Sequence, residues 1–356
     1  MLVVIWLILI LLGFVANKSK IVSLLDLTFF IIASGFRTQG NDWNIYAAEY
    51  RWAPYQTSVD VKYPGFLSFE QFSINHGLDF KKFLVFAAIV GGCLLFLGIY
   101  CFSENPNAIF SLFLLYPFGH EATQMKSFIA DVIIYCSIPL ILKIKPETKT
   151  REKIFRICCY LLLNYIAIQF QFSVAFYVLS TIVYLLLYKK DAYKYLLPIT
   201  FISFFIVYSG IFNPILRSLN VRAQDYIEIN TRFGMIIPIG ITILLLVLDE
   251  ELIKLCKNAN LKEINKIPIE NFQKYSQCIL LMIPLLCYDI TFNRLWRLFL
   301  LLTYTVFAKF LYLKKISINS KGVISISLAL IILIIMVYEQ EFTIIFGFLM
   351  NNRVFG

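Results

Sequence analysis

The chain has 356 residues, 60% of them hydrophobic and only 15% charged, with a formal net charge of +10 and a mean hydropathy of +0.76. Those values exclude an ordinary soluble domain and leave a polytopic membrane protein, with no motif that points to nucleic acid. A closed β-barrel is excluded too, because apolar residues run continuously, as from Leu328 to Val337, and do not alternate as barrel strands require.

Taken in chain order, the apolar runs predict helical spans at 2 to 16, 21 to 35, 83 to 102, 108 to 119, 128 to 142, 157 to 169, 172 to 188, 195 to 212, 233 to 248, 276 to 290, 298 to 313 and 322 to 338. That is about twelve spans in one membrane domain over 1–356, the shorter ones extending into polar flanks to reach the roughly 20 residues a crossing needs. The expected fold is therefore all-α, a transmembrane helical bundle. The first run lacks the basic start and small-residue cleavage site of a signal peptide, and Lys18 and Lys20 follow it; it is expected to be a first span with its N-terminus outside. The eight cysteines lie in or beside apolar runs, a scatter that is neither a disulfide framework nor a metal spacing.

Lys and Arg concentrate on the cytoplasmic side of such proteins. The segment Lys143 to Arg156 is therefore assigned inside, and alternation puts Lys18, Lys20, Lys189 to Lys194, the stretch 249–275 and Lys314 to Lys321 inside with it. The weak run at 108–119 is needed to keep that parity. Lys81 and Lys82 are the exception. The C-terminus is then outside, and outer loops fall at about 36–82, 120–127, 213–232 and 291–297. Arg37, Arg51, Arg217, Arg222, Arg232, Arg294, Arg297 and Arg353 all lie outside, whereas the inner side is served mainly by Lys. Guanidinium binds phosphate and carboxylate bidentately and stays charged, so this asymmetry points to an anionic ligand at the outer face. Pairing with local acids and lipid headgroups is the alternative for any single arginine.

The first outer loop runs Gly35-Phe36-Arg37-Thr38-Gln39-Gly40-Asn41-Asp42-Trp43-Asn44-Ile45-Tyr46, then reaches Glu49, Tyr50, Arg51 and Trp52 before Lys62-Tyr63-Pro64-Gly65-Phe66. Aromatic faces mixed with planar hydrogen-bonding groups suit a sugar, although interfacial aromatic belts look similar. Asp42 and Glu49 are candidate bases for an acceptor hydroxyl; pairing with Arg37 or Arg51 is the structural alternative. On the second outer loop, His120 and Glu121 are a further candidate base pair, with a simple hydrogen-bonded cap as the alternative. Asp26, Asp131 and Asp289 lie within or at the ends of spans, where ionisable groups draw notice. Arg217 and Arg222, five apart in the third loop, fit a pyrophosphate if that segment is helical. No cofactor or metal-binding motif is present, and metal-independent chemistry is expected.

The order Phe36-Arg37, Gly40-x-Asp42-x-x-x-Tyr46, Tyr63-Pro64-Gly65-Phe66 and Met125-Lys126-Ser127-x-x-Ala130 resembles the EpsG-like branch of Wzy-type bacterial polysaccharide polymerases. The resemblance covers about 30 to 190, and Arg294-Leu295-Trp296-Arg297 is similar to the family's C-terminal half. Trp43, Tyr63 and Lys126-Ser127 depart from the family's usual Tyr, acid and Arg-Gln.

The resemblance implies a GT-C-like membrane glycosyltransferase in the bacterial inner membrane that joins undecaprenyl-pyrophosphate-linked glycan units, donor and acceptor both. It also allows a chain-length-regulating membrane protein as a partner. Arg37, Tyr46, Arg51, Lys126, Arg217, Arg222, Arg232, Arg294 and Arg297 would contact substrate or pyrophosphate, and Asp42, Glu49, His120 or Glu121 would take a proton. O antigen, capsule and exopolysaccharide stay open as products. The competing expectations are a transferase using polyprenyl-phosphate sugars and a lipid-linked oligosaccharide flippase.

Overall fold

The computed structural model describes the chain except residues 41, 60, 189, 211–234, 289 and 355–356, and the side chains at 287, 288, 290 and 291. The described residues are overwhelmingly helical, with one short hairpin, β1 Glu263–Ile264 and β2 Ile267–Pro268, whose turn residues Asn265 and Lys266 are left-handed. Helices α1 Leu2–Val15, α2 Lys20–Gly35, α5 Phe80–Phe102, α6 Pro106–Leu115, α8 Met125–Leu142, α9 Thr150–Phe170, α10 Ala175–Leu187 and α11 Ala192–Tyr208 follow the predicted runs. So do α12 Ile236–Asn258, α15 Trp296–Leu311 and α16 Ile318–Tyr338. Four of these, α5, α8, α9 and α16, are long and apolar enough to cross a membrane.

Four regions differ from the expectation. The outer loop at 36–82 contains two helices, α3 Trp43–Trp52 and α4 Pro64–Asn75. The run at 108–119 stops at Leu115, ahead of a cis Tyr116–Pro117 bond, and a short α7 Phe118–Thr123 follows; a residue before proline is driven out of helical geometry. The run at 276–290 is divided between α13 Ile269–Gln277, a 3₁₀ turn and α14 Met282–Tyr288. A last helix, α17 Glu341–Met350, lies beyond the predicted spans. Helix starts carry the expected signals: Ser19 and Asp79 accept from Val22 and Lys82 backbone N–H groups, and Pro64 and Pro106 sit in first turns.

The described residues form two compact units, one of Met1–Ala175, Ile264–Lys266 and Ile332–Gly356, the other of Phe176–Glu263 and Ile267–Ile331. In the first, glycines set the helix spacing. A Cβ at Gly91 would strike the Phe128 ring, one at Gly98 would lie 2.7 Å from the Tyr135 ring, and one at Gly13 would lie 2.5 Å from the Asn107 carbonyl oxygen. Small residues let membrane helices approach closely where the bilayer supplies no hydrophobic drive. Trp6 Nε1 donates to Leu114 O at 2.8 Å, tying α1 to α6, and Asn164 Nδ2 donates to Ser137 Oγ, tying α9 to α8. The second unit packs around Tyr177, Tyr275 and Phe299, with Trp296 Nε1 donating to Thr242 Oγ1. There Glu250 accepts from Tyr193, Gln273 and Gln277, a saturated carboxylate.

Gly91→Val and Gly98→Val are expected to destabilise the protein by about 1–3 kcal/mol through overpacking, read as a lower melting temperature in detergent. Gly240→Ala and Gly322→Ala, where a Cβ meets nothing within 4 Å, are the controls and should show no loss.

Candidate functional site

The first unit gathers the outer-loop motifs around the end of α2. That helix stops at Gly35, and Arg37 turns inward: it is 1% exposed, with Nη1 donating to Ser34 O at 2.8 Å and Nη2 to Thr123 O at 3.4 Å. Its guanidinium lies 6.0 Å from the Trp43 ring centre, and Asp42 and Tyr46 act on it electrostatically. Gly40 leaves room for this side chain, since a Cβ there would sit 3.4 Å from Arg37 Nε and 3.1 Å from Thr123. Burial lowers the Arg37 pKa to about 10, so the group remains a cation at neutral pH. Its Nε has no hydrogen-bond partner among the described residues.

The chain's last described residues close over the same loop. Arg37 and Asn352 form an antiparallel bridge, Thr38 N–H donates to Asn351 O, and Arg353 N–H donates to Phe36 O. The Arg353 guanidinium donates to Gly35 O and Lys81 O, and Asn352 Nδ2 donates to the Ile32 and Ala33 carbonyls.

Helix α3 packs on α5 and α4 on α9, and the Lys126 side chain at the start of α8 reaches the cluster they form. Tyr46, Tyr50, Phe66 and Phe83 make an aromatic core there, with Tyr63, Phe69 and Phe170 packed against it. The Lys126 ammonium lies 5.1, 5.3 and 5.2 Å from the Tyr46, Tyr63 and Phe66 ring centres and 2.5 Å from Glu49 Oε2. This is an aromatic cage with a carboxylate at its rim, an arrangement suited to a compact cation. The Tyr46 phenol faces the Lys126 backbone amide, and burial raises its pKa strongly. One turn beyond Phe66, Glu70 is 3% exposed and its Oε1 has no hydrogen-bond partner among the described residues. Burial pushes its carboxyl up to about 8, the Glu49 charge adding to that effect and Lys126 opposing it.

His120, in α7, meets the C-terminal segment. Its Nε2 lies 3.2 Å from Glu339 Oε2 and 3.3 Å from Glu341 Oε2. Tyr116 OH donates to Glu339 Oε2, and the Gly119 N–H donates to Glu341 Oε1 at 2.6 Å. Gln340, left-handed at φ 56°, turns the chain between the two glutamates. Glu121 is buried in the same helix, at 2% exposed.

Thus Arg37, Asp42, Tyr46, Glu49, His120, Glu121 and Lys126 all belong to the first unit, and Glu49 pairs with Lys126, not with an arginine. Arg51 lies in the last turn of α3 with its side chain exposed. Arg294, in a 3₁₀ turn, and Arg297, buried in α15, belong to the second unit. Arg217, Arg222 and Arg232 lie outside the described residues, as do Asp225, Glu228 and Asp289. Asp26 is buried in α2 with neither carboxylate oxygen hydrogen-bonded among the described residues. Among the described residues no group of three His, Cys, Asp or Glu is placed to hold a metal ion. Three acids escaped the sequence reading. Glu70 repeats Phe66 at helical spacing, and Glu339-Gln340-Glu341 interrupts two apolar stretches; those were the available signals.

The family model described as EpsG family matches residues 20–343. No curated protein and no solved structure matches the chain.

Glu341→Ala leaves the buried Gly119 N–H without its acceptor, at a cost of about 1–3 kcal/mol. Glu341→Gln keeps an acceptor oxygen and should lose less; equal melting temperatures for wild type and Glu341→Ala would remove the argument.

Proposed function

The chain belongs to the EpsG family, a family of Wzy-like polysaccharide polymerases, and from that premise we propose that it joins undecaprenyl-pyrophosphate-linked oligosaccharide repeat units at the outer face of the bacterial inner membrane. The observation that carries the reading is a match spanning 20–343 together with the gathering of the motif residues Arg37, Asp42, Tyr46 and Lys126 in one unit.

In the proposed reaction an acceptor sugar hydroxyl attacks the anomeric carbon of the donor glycan. The new C–O bond forms as the bond to pyrophosphate breaks, the electron pair leaves on the pyrophosphate oxygen, and a carboxyl of the site takes the hydroxyl proton. Cations lower the barrier by meeting charge that grows on the leaving group. Arg37, Arg51 and Lys126 are the described candidates near the α3 helix; Arg217, Arg222, Arg232, Arg294 and Arg297 enter the proposal on sequence grounds alone. Trp43 and Tyr63, partly exposed beside the buried Tyr46, offer apolar faces to a sugar. The scheme needs no metal, because guanidinium and ammonium groups of this chain supply the positive charge. About twelve crossings in a GT-C-like bundle with both termini outside is the topology we propose, and a chain-length-regulating membrane protein is the proposed partner.

Deleting the gene and running the surface glycan on a gel tests the reading. A single repeat unit on the lipid carrier is expected; full-length chains would overturn it, and loss of every repeat would point to an earlier transfer or flipping step. Arg37→Lys, which cannot reproduce the forked donation to Ser34 and Thr123, should slow chain extension on the order of 10²-fold or more. For orientation, single cysteines at Arg51 and Lys149 in a cysteine-free background should react with a membrane-impermeant reagent from outside and from inside respectively; labelling from one common side contradicts the topology.

A further inference from the structure

We propose that Glu70 is the group that accepts the proton from the attacking sugar hydroxyl. The inference rests on the polymerase reading above and adds to it the identity of the base.

The geometry separates the candidate bases into different kinds. Glu49 is tied to the Lys126 ammonium at 2.5 Å and is engaged in positioning that cation. His120 Nε2 already faces two carboxylates. Glu70 differs from both. It projects from the face of α4 that also carries Phe66 and Ser73, it is 3% exposed, and its Oε1 has no hydrogen bond among the described residues. Burying a carboxyl without a partner is costly, and an apolar residue at this helical position would pack without that penalty. Unpaired acids of this kind gather where a protein uses them.

The charged and titratable groups that act on Glu70 are few. Glu49 and Tyr50 come from α3, and Lys126 comes from α8. The neighbouring elements contribute Phe170 from α9 and Phe83 from α5 to the same core. Desolvation dominates and holds the carboxyl up at about 8, within the range in which a tuned carboxyl serves as a general base. Two carboxyls of one cluster, one paired with a cation and one buried with no hydrogen bond at Oε1 among the described residues, divide the available roles. Glu49 positions Lys126, and Glu70 exchanges the proton. Burial adds a second advantage: a base closed from bulk water until the acceptor sugar enters does not activate water, and transfer wins over hydrolysis.

The proton balance is complete within the site. The acceptor O–H proton passes to the Glu70 carboxylate as the glycosidic C–O bond forms, and the pyrophosphate leaves with the electron pair of the broken bond. Glu70 then returns its proton to solvent when the product moves on. The base must be ionised to work, so the rate should rise as pH passes through about 8 and level off above it.

The test uses the full-length protein in lipid nanodiscs, with lipid-linked repeat units extracted from the deletion strain as probe and kcat/KM for chain extension followed across pH. Wild type should show the rising limb. Glu70→Gln should extend chains slower on the order of 10²-fold or more and lose the limb, with an unchanged melting temperature. If Glu70→Gln does not accumulate as folded protein, Glu70→Asp decides: a slower rate with the limb retained supports the role, since the shortened arm misplaces the carboxylate without removing it. A wild-type rate in either variant overturns the inference, as does a slowed Glu70→Gln that keeps the limb, or a wild type with no limb near pH 8. A wild type that extends nothing at any pH removes the polymerase reading itself, an outcome distinct from all of these.

Discussion

The Arg37 guanidinium sits out of water, and the surrounding chain is arranged around that fact. Taking a charged group from solvent costs several kcal/mol unless the protein replaces its hydrogen bonds. Here the replacements come from separate segments: the Ser34 carbonyl at the end of α2 and the Thr123 carbonyl at the end of α7. The Trp43 ring and Asp42 at the start of α3 add to them, and Asn352 bridges to its backbone. A single cation therefore fixes where α2 stops, how close α7 comes and where α3 begins. The loop that carries the family motif is ordered by its own arginine.

Lys126 shows why a departure from the family pattern need not be a defect. Where the resemblance leads one to expect Arg-Gln, this chain has Lys126-Ser127. An ammonium is a compact point charge, whereas a guanidinium is a planar fork. Three rings at nearly equal distance and one carboxylate at the rim make a receptacle for the former. The residue type and the surrounding cage are matched, which links Tyr46, Tyr63, Phe66 and Glu49 to the identity of position 126.

Much of the architecture was legible because membrane helices announce themselves by continuous apolar runs, and eleven of the described helices follow such runs. The helices inside the first outer loop were not legible. Helix α3 carries no continuous apolar run, is too short to be stable alone, and is held by the cluster of Tyr46, Tyr50, Phe66 and Phe83 contributed by three separate elements. Periodicity within one segment cannot reveal such a tertiary origin. Of the candidate site, Arg37, Asp42, Tyr46, Glu49 and Lys126 were visible as motif residues, and their company was not. Pairing of Glu49 with Lys126 bridges a large sequence separation. Glu339 and Glu341 lie beyond the last expected span, and the turn at Gln340 brings both to His120.

That turn also bears on how the protein is made. The segment from Glu339 to Arg353 supplies carboxylates to α7 and a bridge to the loop after α2, yet it is the last part of the described chain to leave the ribosome. Until it emerges, the Gly119 amide lacks its acceptor and the Arg37 loop lacks its bridging strand. The nascent protein thus inserts its early helices before these partners exist, and the Arg37 loop and the Gly119 amide acquire them from a segment made later.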